Sequence, residues 1–145
     1  MDAGLTVKYE FSQDDDDFGW LDVAVRTPSF SGAAGFWVQW QDVVEWDAKL
    51  FLYPIPVGHA VDEEWGQSDS DGSNYQVIVG IRIAPANRTG DLEVRVKLAD
   101  HIDTHCHCET AFRTTYSEVE RFAVELKAVM NREGEEALLT GRRVG

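Results

Sequence analysis

The chain has 145 residues, the size of one domain, and 43% of them are hydrophobic, which excludes a wholly disordered polymer. Its 26 acidic residues outnumber 13 basic ones, leaving a formal net charge of −13. A surface of that sign repels phosphate and excludes direct nucleic-acid binding, which needs clustered Lys or Arg, and the only adjacent basic pair is Arg142-Arg143.

Leu5 to Phe11 alternates strictly, with Leu5, Val7, Tyr9 and Phe11 on one face, and predicts a half-buried strand. Asp14, Asp15, Asp16 and Asp17 follow, and four consecutive carboxylates belong in a solvated turn. Phe18–Arg26 predicts a second strand. The Ser/Gly-rich stretch from Ser29 to Gly35 predicts a turn, and Phe36–Trp40 a third strand.

Asp42, with Glu45 three residues on, predicts a capped helix that runs to Tyr53 and stops at Pro54 and Pro56. Gly58–Asn74 is polar, with Asp62, Glu63, Glu64, Asp69 and Asp71, and predicts a long mobile loop pinned by Trp65. Gln76–Ile83 and the alternating Leu92–Leu98 predict a hairpin, and His105–Arg113 a further strand with Cys106, Cys108, Thr110 and Phe112 on one face. Ser117 and Glu120 predict a capping box for the last helix, to Asn131. Its apolar stripe is Val119, Phe122, Ala123, Leu126, Val129 and Met130. Ala137–Leu139 predicts a short terminal turn. The expected architecture is a single α+β domain over residues 1–145: a mostly antiparallel sheet of about six strands with two main helices packed on it.

His101, His105, Cys106, His107 and Cys108 are zinc- or copper-type ligands, but a strand would point His105 and His107 one way and the two Cys the other. Packed thiols and solvated histidines are therefore expected, and no metal or other cofactor. A metal- or small-ligand-binding domain using this strand is the alternative function. Asp69, Asp71 and Gly72 match the middle of a calcium loop, but Gln67 and Ile78 stand where its first and last carboxylates belong. No serine sits in a nucleophile elbow, and no catalytic constellation is visible, so an enzyme is not expected. Trp37 and Trp40 suggest a sugar platform, but packing of helices on the sheet is expected to bury most of the aromatic residues. Free thiols and the lack of an apolar N-terminal run favour a reducing cytoplasm. No apolar stretch has the length of a membrane span.

Two segments carry a resemblance. One is Gly35-Phe36-Trp37-Val38-Gln39-Trp40-Gln41-Asp42-Val43-Val44-Glu45-Trp46, continuing to Leu50 and Tyr53. The other is Leu92-Glu93-Val94-Arg95-Val96-Lys97-Leu98, followed by Phe112, Tyr116, Phe122 and Leu126. In this order they resemble small uncharacterised bacterial proteins grouped with WapI-type immunity proteins. The resemblance implies neutralisation of a co-encoded toxin, often a nuclease, and carries over no catalytic residue. The acidic loop and the His/Cys cluster lie outside its pattern. Charge points the same way, because a basic nuclease groove is complementary to carboxylates. The expected partner-binding residues are Asp14, Asp15, Asp16, Asp17, Asp62, Glu63, Glu64, Trp65, Asp69 and Asp71, on segments expected to be exposed.

Overall fold

The computed structural model describes residues 2–144. Eight strands and two helices follow in the order β1 (Ala3–Phe11), β2 (Phe18–Arg26), β3 (Ser31–Gln39), α1 (Trp40–Lys49), β4 (Val61–Gln67), β5 (Gln76–Pro85), β6 (Asp91–Ala99), β7 (His107–Thr115), α2 (Tyr116–Met130) and β8 (Ala137–Gly141). The α+β class and the antiparallel pairing agree with expectation. The strand count does not: there are two four-stranded sheets, ordered β3-β2-β1-β8 (sheet A) and β4-β5-β6-β7 (sheet B), in place of one sheet of six.

The two extra strands explain the difference. β4 lies inside the stretch expected to be a mobile loop. Val61 and Trp65 are buried there, Glu63 is half-buried, and Asp62 and Glu64 point outward, which is strand alternation with an acid at one inward position. The terminal turn expected at Ala137–Leu139 is instead β8, which pairs with β1 from Ala3↔Gly141 to Val7↔Ala137. β3 begins at Ser31, so the turn before it is short, closed by the Thr27 amide donating to the Phe30 carbonyl at 2.8 Å.

β1 supplies Leu5, Val7 and Tyr9 to the core, and β2 supplies Leu21, Val23 and Val25. In sheet B, Val79, Ile81 and Ile83 alternate inward. A register shift between Trp65 and Gly66 leaves Ile78 opposite no partner, and this bulge lets Ile78 and Val79 both be buried. A backbone bridge links the two sheets at one edge: Arg113 and Arg142 exchange hydrogen bonds of 2.8 Å, joining β7 to the residue after β8.

The helices fill the core through one stripe each. α2 buries Val119, Phe122, Ala123, Leu126 and Val129, as its periodicity predicts. α1 buries Val43, Trp46 and Asp47. Trp46 meets both Phe122 and Trp65 edge-to-face, at centroid distances of 5.9 and 6.0 Å. The expected caps are displaced. Thr115, the last residue of β7, caps α2 by accepting from the Glu118 amide, so the cap is Thr115 and not Ser117, and the Glu118 carboxylate accepts from Arg121 and Thr140 instead of closing a capping box. α1 starts at Trp40, two residues before Asp42, with no side-chain cap, and Asp42 lies in its first turn, where a carboxylate favours the helix dipole.

Candidate partner-binding surface

The four-aspartate turn between β1 and β2 is exposed throughout, as expected. It is also tied down. The Ser12 amide donates to the Phe18 carbonyl at 2.9 Å, the Phe18 amide to Asp16 Oδ1 at 3.0 Å, and the Asp14 amide to Ser12 Oγ at 3.1 Å. Asp15 takes a left-handed conformation with φ of 51°, which Asp tolerates better than most side chains. The Trp40 amide then donates to the Asp17 carbonyl at 2.9 Å, anchoring the turn to the start of α1.

That anchor brings Asp42 close to the turn. Tyr9 lies beneath, its hydroxyl pushed up to about 12 by burial and by the charges of Asp16 and Asp42. The acidic surface at this end therefore has five carboxylates, one of them from α1.

Next to the turn is an exposed aromatic face. Outer positions of β2 and β3 place Phe18, Trp20 and Trp37 on the solvent side of sheet A, and Trp40 follows at the start of α1. Trp37 is 55% exposed, Phe18 41% and Trp40 38%. This corrects the expectation that packing of helices on the sheet buries most of the aromatic residues: among the described residues this face is open to solvent at Phe18, Trp37 and Trp40, and the inward places of β3 go to Phe36 and Val38. Trp20 is half-buried, packed against Trp37 at 5.4 Å and against His101 at 5.5 Å.

The other expected contact residues lie elsewhere. Asp62, Glu63 and Glu64 sit on β4, in a concavity of about 530 Å³ on sheet B shared with Lys49, Arg82, Arg95, Lys97 and Glu109. Acids and bases there are equal in number, so the surface is locally balanced. Lys49 Nζ lies 3.4 Å from Glu63, and Arg95 reaches both Glu93 at 2.9 Å and Glu109 at 3.5 Å. Trp65 is 8% exposed and belongs to the core, which leaves it little to offer a partner. Asp69 and Asp71 occupy the exposed β4–β5 turn. Asp71 accepts from the Ser73 amide and hydroxyl, and these bonds hold its carboxyl below the usual range.

The His/Cys segment is also rearranged. β7 begins at His107, so His105 and Cys106 lie in the preceding turn and the two Cys do not share one strand face. His105 is exposed beside Asp103, and His101 is turned to Trp20 and Phe36. The charge of Asp103 and a hydrogen bond to it raise the Cys106 thiol, and burial raises that of Cys108, so both resist forming thiolates. Among the described residues, no three His, Cys, Asp or Glu side chains group closely enough to hold a metal ion. No helix among them is long and apolar enough to cross a membrane.

A second exposed apolar group, Phe51, Leu52, Tyr53 and Val57, lies in the α1–β4 connection and carries no run of carboxylates. Comparisons of the chain with protein-family models, curated proteins and solved structures give no match.

Proposed function

We propose that the protein is a binding module for a basic macromolecular partner, acting as an immunity protein that covers the cationic face of a nuclease-like toxin. The observation that carries this reading is the adjacency of Phe18, Trp37 and Trp40 to Asp14–Asp17 and Asp42. Exposed aromatic side chains give a contact its anchoring energy, and a carboxylate rim steers a basic partner and excludes an acidic one. A phosphate-binding groove has the complementary charge.

The test is association with a basic nuclease domain encoded beside this gene, followed by stopped-flow across a salt series. Replacing Asp14–Asp17 and Asp42 with Asn is expected to slow association at low salt, with the difference shrinking as the Debye length contracts. The melting temperature should remain that of the parent within a few degrees. An association rate unchanged by the substitutions at low salt would reject the acidic turn as the steering element. Failure of the intact protein to bind or inhibit such a domain would reject the reading itself.

A further inference from the structure

One row across the outer face of sheet A reads Glu10, Trp20, Trp37, on β1, β2 and β3 in register. The neighbouring row reads Lys8, Asp22, Gly35. Gly35 lacks the side chain that would fill its place, and a Cβ there would run into the Trp20 indole. Trp20 therefore lies over the glycine. Its ring and that of Trp37 stand at 77° to each other, which makes a corner of two nearly perpendicular indoles, with Trp37 exposed and Trp20 half-buried against His101. Glu10 and Asp22 flank the corner, both are exposed, and neither is in an ion pair among the described residues. The cation in the neighbouring row, Lys8, is 3.9 Å from Glu136.

We infer that this corner seats a guanidinium: an arginine side chain of the partner stacks on Trp37 while its N–H groups point to Glu10 and Asp22. A guanidinium is flat, weakly hydrated and carries its donors in its own plane, so it can stack and donate to carboxylates at the same time. An ammonium is compact and strongly hydrated, and gains less from a half-exposed aromatic face. The chain already uses the same contact elsewhere, with the Arg132 guanidinium 4.1 Å above the Phe11 ring. The inference rests on the docking face proposed above but specifies its anchor, and it can fail alone.

The test uses the intact chain and three sets of short peptides that alternate glycine with arginine, lysine or citrulline. Citrulline keeps the shape of arginine and removes its charge. Binding is followed by calorimetry and by the indole N–H resonances of Trp20 and Trp37. The arginine peptide is expected to shift both resonances and to bind about two- to five-fold more tightly than the lysine peptide. The citrulline peptide should leave the resonances in place. Trp37→Ala should erase the preference for arginine over lysine, and Glu10→Gln should weaken arginine binding. Trp37→Leu keeps apolar bulk without the aromatic face and should also erase the preference, which covers the case where Trp37→Ala disturbs the sheet. Equal affinity for arginine and lysine peptides, or a preference that survives both Trp37 variants, overturns the inference. If both peptides then still depend on Asp14–Asp17, the acidic docking face stands without the arginine seat.

Discussion

The Tyr9 hydroxyl donates a buried hydrogen bond of 2.7 Å to the Val38 carbonyl, tying β1 to β3 across the intervening β2. The ring reaches that carbonyl by lying over Gly19, where a Cβ would have to enter the space the ring occupies. This tie fixes the end of sheet A where the acidic turn and the exposed indoles meet.

Tyr9→Phe removes the donor and leaves the Val38 carbonyl unpaired in the core. The expected loss is about 1–3 kcal/mol in urea unfolding, with the fold retained. Gly19→Val should cost more, because it displaces the ring as well as the bond. Equal stability of Tyr9→Phe and parent would mean that solvent satisfies the carbonyl.

Asp47 gives a pH prediction. It is 6% exposed on α1, its Oδ1 has no hydrogen-bond partner among the described residues, and burial raises its pKa to about 6 against the opposing influence of Lys127. A carboxyl whose folded pKa exceeds its unfolded value binds its proton more tightly in the folded state. Stability is therefore lost as pH rises from the ordinary carboxylate range through 6, and the full penalty holds above that. Its size is on the order of 2–3 kcal/mol. Asp47→Asn should flatten this part of the melting-temperature profile and raise the melting point at pH 8. An unchanged slope in the variant would assign the titration to another group.

Phe122 is fully buried against Trp46. Phe122→Ala should cost about 3–5 kcal/mol by chemical denaturation, from lost transfer energy plus the cavity left between α1 and α2. A loss below about 1 kcal/mol would mean that the helices collapse into the space.

The two sheets come close where β7 faces β3. A Cβ at Gly32 would run into the Cys108 thiol. Gly32→Ala should destabilise the parent, and the same substitution in a Cys108→Gly background should cost markedly less. That coupling, read as a double-mutant cycle, tests the sheet-to-sheet contact without reference to any partner. Additive effects of the two substitutions would place the sheets farther apart.

Much of this fold is legible in the sequence where alternation is clean. β1 and β6 present apolar residues at every second position, and the stripe of α2 is unbroken. β4 escapes the same reading because Asp62-Glu63-Glu64 resembles a solvated run. The inward acid Glu63 is tolerated at the sheet edge because Lys49 of α1 pairs with it, and that contact is invisible before the chain folds. β8 is five residues long and becomes a strand only by pairing with β1, at the opposite end of the chain. The α2 cap is hard to place from sequence because β7 runs directly into the helix, with no loop residues to mark the boundary.

For the candidate surface, the four aspartates are readable from composition alone. The exposure of Trp37 is not. Residues 36–38 are apolar on both faces, and the side that meets the core depends on how β3 pairs with β2. Trp65 is the converse case: an indole in a polar stretch reads both as a pin to the body and as a contact residue, and strand alternation turns it inward against Trp46, which fits the first role and not the second.

The pairing of β1 with β8 has a consequence for biogenesis. Sheet B is a meander of adjacent hairpins and can form as soon as β7 has left the ribosome. Sheet A cannot close until β8 emerges, so β1 keeps one side unsatisfied while everything between the two strands is made. During that interval β1, carrying Leu5, Val7 and Tyr9, is an open apolar strand, a species that chaperones bind and that pairs readily with other open edges. A chain cut before Ala137 would leave that edge permanently open, and aggregation, more than loss of any contact residue, would be its first symptom.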